Sequence, residues 1–311
     1  MPYFRRMKSR WLFLTAVLFF CQTAFAQDTD RKLEKKIQEI VQGFHGEIGV
    51  FVLHVPSGKT VSYNADTIFP TASMVKIPIL VGVIDKMQRG ELDYHQELTY
   101  KDSLLYPGVD ILGSFKQDSQ IELSRLLMLM LTTSDNTASL WLQSLAGSGS
   151  RINALLDSIG LINTRVNSRT PGREENRKMF GWGQSTPREM VSLIRKIWEG
   201  KIFDAFYSDR MIRLLGRNYW DDVALSQIPP TVFVASKNGA VDESRSESML
   251  VMAPHGAYIW SIMTRNMADS SWQPDNEGWV VARKLSLALW QHYEPKSRWK
   301  PVINIDGTRN F

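Results

Sequence analysis

The stretch Ser73-Met74-Val75-Lys76 sets a hydroxyl and an amine three residues apart. On a helix that spacing puts both on one face. There Lys76 can take the Ser73 proton if a buried or cationic setting lowers its own pKa, which activates the hydroxyl for attack on a carbonyl. Phe69-Pro70 closes an extended stretch just before, so Ser73 falls at a helix start, where unpaired N–H groups favour developing negative charge. By itself the pair reads more plainly as a capping serine beside a solvated lysine. Ser297-Arg298-Trp299-Lys300 repeats the spacing in a polar tail. Pro78, two residues past Lys76, lies near the limit of what a helix tolerates, a local irregularity beside a candidate nucleophile.

Two more stretches offer matching chemistry. Ser134-Asp135-Asn136 lies between apolar helical segments, which predicts a tight loop facing inward. Ser134 could pass a proton to a leaving nitrogen, and Asn136 could hold an amide by donor and acceptor at once. Ser134 or Asp135 could equally cap the next helix. Lys237-Asn238-Gly239 follows the strand-like run Thr231–Ser236. Lys237 offers a charge for a carboxylate, and the backbone there offers N–H groups for a reacting carbonyl. Arg245 could add a second positive charge. Alone, this stretch also fits a strand-ending turn with a solvated lysine.

In this order and at these separations, the three stretches resemble those of the penicillin-recognising serine enzymes, most closely the class A β-lactamase-like family. Phe69-Pro70-Thr71-Ala72-Ser73, Thr133-Ser134-Asp135-Asn136-Thr137-Ala138 and Ser185-Thr186-Pro187-Arg188-Glu189-Met190 support the resemblance, which extends from the first helix to the last. It implies an acyl-enzyme on Ser73, with Lys76 accepting the proton and Ser134 relaying one to the leaving nitrogen. The N–H groups of Ser73 and Ala240 would form the oxyanion hole. Lys237, Asn238 and Arg245 would hold a carboxylate, Asn136 would orient the acyl side chain, and Tyr106 would border the cleft and stack on substrate. No metal or organic cofactor is implied.

The chain departs from the family at two places. Asn238 stands where threonine or serine is usual. The stretch Asn167 to Gln184 holds Glu174-Glu175-Asn176, but Gly172 occupies the place four before Asn176 where a water-positioning glutamate is usual. Glu175 is the first candidate for the water-activating base and Glu174 the second; otherwise both are solvated loop acids.

The elements that must position these residues follow from periodicity. Arg31 to Phe44 reads as an amphipathic helix, Glu47 to Val55 and Thr60 to Asn64 as a hairpin around Pro56-Ser57-Gly58-Lys59, and Ser73 to Met87 as an apolar helix. Helices follow near Leu123–Leu131, Thr137–Leu145 and Arg188–Trp198, the last with Pro187 at its start and Thr186 as N-cap. Strand signals return at Thr231–Ser236, Ser248–Ala253 and Ala257–Thr264, before a closing helix, Gly278–Tyr293. Two β stretches around a helical block predict an α+β fold. Its antiparallel sheet of about five strands is packed with N- and C-terminal helices, and an all-helical lobe is inserted. The expected division is an α/β lobe of residues 27–68 and 215–295, a helical lobe of 69–214, and a weakly specified tail from 296 to 311.

Residues 1–26 read as a secretory leader: basic at Arg5, Arg6, Lys8 and Arg10, apolar from Trp11 to Phe20, then Ala24-Phe25-Ala26. An uncleaved anchor is the alternative. A lipid attached at Cys21 is a further one, set against the bulk of Phe20. Losing the leader removes four basic residues and no acid, taking the formal charge from +5 to about +1. Nucleic acid is then not an expected partner. The single cysteine leaves too, which excludes cysteine catalysis and thiolate metal sites in the processed chain. The five histidines have no metal-ligand spacing, and no phosphate loop occurs. The expectation is therefore a periplasmic monomer without a lasting membrane anchor, acting on a β-lactam or a peptidoglycan-derived D-amino-acid compound. Three readings stand: a serine β-lactamase, a D,D-peptidase or related acyl-hydrolase with slow lactam turnover, and a non-catalytic penicillin-binding sensor module.

Overall fold

Strand alternation sorts the central residues onto two opposite faces, and each face is covered by helices. The computed structural model describes residues 28–108 and 110–309; the leader at 1–26 lies outside them. In chain order come α1 (Arg31–Val41), β1 (Glu47–His54), β2 (Thr60–Tyr63), the short β3 (Phe69–Pro70), a 3₁₀ turn (Ala72–Val75) and α2 (Lys76–Gln88). Next are β4 (Glu97–Thr99), β5 (Gln120–Glu122), α3 (Leu123–Met128), a π turn (Leu129–Thr133), α4 (Asn136–Leu145) and α5 (Ser148–Ser158). Then follow β6 (Arg165–Val166), α6 (Glu174–Phe180), β7 (Gly183–Ser185), α7 (Pro187–Trp198) and α8 (Ala205–Leu215). The chain closes with β8 (Val234–Val241), β9 (Ser244–Val251), β10 (Tyr258–Arg265) and α9 (Glu277–Tyr293).

The main sheet has five antiparallel strands in the order β2-β1-β10-β9-β8. Both ends of the chain build it, as the sequence predicts. Val50, Val52, Trp260 and Ile262 meet Leu33 and Ile37 of α1 and Leu285 and Leu289 of α9 on one face. Phe51, Leu53, Ile259 and Met263 join the core of the helical lobe on the other. Within that lobe α2 is buried nearly all round, which its unbroken apolar run requires. Pro78 is tolerated because it falls in the first turn, where its missing N–H is an orphan donor anyway.

Three details differ from the sequence reading. Strand β8 does not end before Lys237; pairing with β9 runs from Val234↔Val251 to Val241↔Ser244, so Lys237, Asn238 and Gly239 lie within an edge strand. Ser73 sits in a 3₁₀ turn, and the α-helix proper begins at Lys76. The tail is docked: Ile303 bridges Arg309, the Gln227 amide donates to Ile303 O at 2.9 Å, and Arg283 donates to Ile305 O at 3.3 Å. Thr186 caps α7 as expected, accepting from Glu189 N at 3.1 Å. The Glu189 carboxylate reaches across to Asn163 and Thr164, accepting from both backbone N–H groups and so fastening the chain that leads into β6. Among the described residues no helix is long and apolar enough to cross a membrane.

Candidate active site

The nucleophile's turn is held against the sheet edge by backbone contacts. Thr71 N donates to Gly183 O at 3.0 Å, and Ser246 Oγ on β9 donates to Thr71 O at 3.0 Å. Ala72 has φ 44°, a left-handed conformation uncommon for a residue with a Cβ, immediately before Ser73. β8 approaches so closely that a Cβ on Gly239 would stand 2.5 Å from Thr71 O and 2.7 Å from Ser73 N. Glycine at 239 is therefore a packing necessity, and it brings Ala240 beside Ser73. Both residues line a cavity of about 630 Å³.

Lys76 comes from the first turn of α2 and is fully buried beside Ser73. Its Nζ lies 3.1 Å from Ser73 Oγ, 2.9 Å from Ser134 Oγ, 2.5 Å from Ser134 O and 2.9 Å from Asn136 Oδ1. Burial holds the amine well below its ordinary pKa of 10.5, and the Lys237 charge pushes it further down; Asp110 and Asp135 pull the other way. Ser134 ends the π turn with φ 64° and ψ 32°, again left-handed, which turns both its carbonyl and its hydroxyl toward Lys76.

Two carboxylates clamp the start of α4. Asp135 accepts from Ala138 N and from Leu112 N, each at 2.8 Å. Asp110 accepts from Asn136 N and Thr137 N, each at 2.9 Å. Burial raises the Asp135 pKa, and Asp110 adds to the rise. Asp110 was not foreseen in the sequence: it lies 26 residues before Asn136 in an irregular segment, with no periodic signal to mark it.

Lys237 is also fully buried, and its pKa is lowered to about 7 by burial, with Glu247 opposing. Its Nζ donates to Asn238 O at 2.9 Å and Asn238 Oδ1 at 3.1 Å. Asn238 therefore uses its acceptor on Lys237, while its amide N–H groups make no hydrogen bond among the described residues. Glu247, paired with Asn238 across the strands, is pushed up to about 8 by burial. Tyr106 lines the cavity and meets Trp182 edge-on, centroids 4.9 Å apart. Trp182 was not singled out from the sequence, where it is one of ten tryptophans without a distinguishing pattern.

Five expected residues neither line the cavity nor bond to Ser73 or Lys76: Asn238 lies with Arg245 and Glu247 in a small space on the α9 side of the sheet, the Lys237 amine bonds to Asn238, and Arg245, Glu174 and Glu175 are turned elsewhere. Arg245 points into the α9 side of the sheet, where its guanidinium donates to Ser244 O at 3.1 Å and Ser271 O at 2.6 Å and lies 4.7 Å from the rings of both Trp272 and Trp279. Both of its terminal nitrogens are spent internally, and the arginine that lines the cavity is Arg265. Glu175 is 83% exposed and paired with Lys178 on the outer face of α6. Glu174 accepts from Gly172 N at 3.1 Å. The α6–β7 wall of the cavity is instead Met179, Phe180, Gly181 and Trp182, without a carboxylate.

Ser73 Oγ, the buried Lys76 amine, Ser134 Oγ and Asn136 Oδ1 thus form one hydrogen-bonded cluster at the cavity. A family model described as the Beta-lactamase enzyme family matches residues 32–293, and the chain belongs to that family. The β-lactamase SME-1 of Serratia marcescens is 25% identical over 239 residues, covering 74% of this chain and 78% of the relative. The β-lactamase VEB-1 of Pseudomonas aeruginosa is 24% identical over 306 residues, covering 93% and 99%. Among solved structures, an acyl-enzyme complex of a PBP-A mutant with penicillin G superposes with TM-score 0.76 at 25% identity, covering 86% of this chain and 98% of that one.

The close approach at Gly239 yields a direct test. Gly239→Ala should destabilise the fold by about 1–3 kcal/mol, because backbone atoms must shift to admit the methyl group. It should also slow covalent modification of Ser73 more than it lowers stability. Chemical denaturation and labelling by a serine-directed acylating reagent measure the two effects, and a variant with unaltered stability and labelling contradicts the packing argument.

Proposed function

We propose that this chain is a serine acyl-hydrolase that forms an acyl-enzyme on Ser73 with β-lactams and with D-amino-acid-derived amides, and that it releases the acyl group slowly. The observation that carries the reading is the set of contacts around Lys76 Nζ. Ser134 O and Asn136 Oδ1 are acceptors only, so they take two N–H bonds. A neutral amine has one lone pair left, and a serine hydroxyl must donate to it. Ser73 Oγ at 3.1 Å and Ser134 Oγ at 2.9 Å are the two hydroxyls within reach, and the proposed activation is loss of the Ser73 proton to Lys76.

In the proposed reaction Ser73 Oγ attacks the amide carbonyl carbon and its proton passes to Lys76. The N–H groups of Ser73 and Ala240 stabilise the oxyanion; one such donor typically accounts for about 10²–10³ in rate. The C–N bond then breaks as the Ser134 hydroxyl protonates the nitrogen, and Lys76 returns a proton to Ser134. Lys237 supplies the charge for the substrate carboxylate, Asn136 Nδ2 orients the acyl amide, and Tyr106 packs on it. Water finally cleaves the ester. The absence of a carboxylate from the α6–β7 wall, with Glu174 and Glu175 turned elsewhere, supports slow cleavage. The leader-like residues 1–26 favour work outside the inner membrane, where such amides occur. Fast lactam hydrolysis is the second reading, favoured by relatives named as β-lactamases. The assembled Ser73, Lys76, Ser134 and Asn136 speak against a purely sensing module.

Intact mass during reaction with benzylpenicillin and a chromogenic cephalosporin separates these readings. A persistent adduct, absent in Ser73→Ala, with little colour is the expected result; rapid colour without a lasting adduct supports the second reading, and no adduct or turnover overturns both. The pH dependence follows from Lys237, which is charged below its pKa of about 7. Acylation by a carboxylate-bearing lactam should therefore decline as pH rises through about 7, by up to tenfold per pH unit, while a lactam ester lacking the carboxylate keeps its rate. Equal profiles for the two compounds refute the carboxylate role of Lys237.

A further inference from the structure

The cavity is asymmetric in a way the acyl-transfer groups do not explain. One side is the apolar wall of Met179, Phe180 and Trp182. The opposite rim is the β8–β9 turn together with the end of β10, and it contributes two charged residues, Glu243 and Arg265. Arg265 is already matched. It donates to Glu47 Oε2 at 2.6 Å and to Ile68 O at 2.9 Å, and Asn266 completes the hold on the same carboxylate through Glu47 Oε1 at 2.8 Å. Glu243 is different: it is exposed on the turn and lines the cavity, and among the described residues its carboxylate makes neither an ion pair nor a hydrogen bond.

Its backbone is nevertheless pinned. Glu243 O accepts from Met267 N at 3.2 Å, and the adjacent Asp242 carboxylate accepts from Trp272 Nε1 at 3.1 Å. The result is an exposed, unpaired carboxylate on a pinned turn, lining the same cavity as Ser73 and the apolar Met179–Trp182 segment. A ligand complementary to it has an apolar body and a cationic end. We infer that Glu243 is a specificity residue that holds a primary ammonium group at the end of the acyl donor's side chain, so that preferred substrates carry an aliphatic spacer terminated by an amine. This deepens the acyl-hydrolase reading and rests on it.

A matched pair of probes isolates the single charge: the 6-aminohexanoyl amide of 6-aminopenicillanic acid and its N-acetylated form. Second-order rates of Ser73 acylation are followed by intact mass, with benzylpenicillin alongside. The free amine should react about three- to fivefold faster than the acetylated probe at low salt, with the ratio shrinking as salt is raised. Glu243→Gln should bring the ratio to about one, and Glu243→Lys should invert it, a sign change that a merely structural role does not produce. Equal rates for the two probes in the unaltered protein, or a ratio that survives Glu243→Lys, overturns the inference while leaving acylation intact. Failure of all three penicillins to label Ser73 overturns the acyl-hydrolase reading and the inference with it.

Discussion

The proposed chemistry depends on keeping the Lys76 amine uncharged inside the protein. Lys76 reaches no water, and the negative charges that could stabilise an ammonium there, Asp110 and Asp135, are already turned toward the backbone N–H groups that begin α4. A second buried lysine, Lys237, makes another positive charge more costly still. Burial alone would favour removing the lysine altogether. It stays because the oxygens of Ser134 and Asn136 saturate its donors and leave its lone pair for a hydroxyl. In the proposed mechanism, the same arrangement that satisfies a buried polar group makes Lys76 the base.

That arrangement joins both lobes. Lys76 and Ser73 come from the sheet-to-helix junction, Ser134 and Asn136 from the helical lobe, and Lys237 and Ala240 from the edge strand. Gly239 and Ser246 close the distance between strand and turn. Ala72, next to Ser73, and Ser134 are both left-handed, two uncommon backbone conformations at or beside the two serines that share the Lys76 nitrogen. Such irregularities are held by their surroundings, here by the buried carboxylates and by the packing of β8 on the 3₁₀ turn.

Much of this was legible in the chain. The apolar runs around Val50–Leu53 and Ile259–Ile262 give the sheet, and the unbroken run after Lys76 gives a buried helix. The three motifs identify the residues that meet at Lys76. What was hidden depended on tertiary placement. Arg245 has the right charge and nearly the right place, but strand alternation and two tryptophans take it to the far face. Glu175 looked like a loop acid near the nucleophile, yet a short helix turns it outward to Lys178. Asp110, Glu243 and Arg265 belong to no local pattern; each matters because a distant segment folds against it. The extension of β8 through Lys237 was missed because Asn238 and Gly239 are poor strand formers whose pairing with β9 overrides their preference.

The central claim concerns one nitrogen, so its ionisation is the decisive quantity. Carbon-13 labelling of lysine Cε allows each amine to be titrated by NMR, with Lys76 assigned from the signal lost in Lys76→Met. The account predicts a Lys76 resonance that titrates far below the ordinary lysine value of 10.5, apart from the surface lysines. A Lys76 signal that titrates together with them, near 10.5, would mean the amine is charged at neutral pH and cannot accept the Ser73 proton.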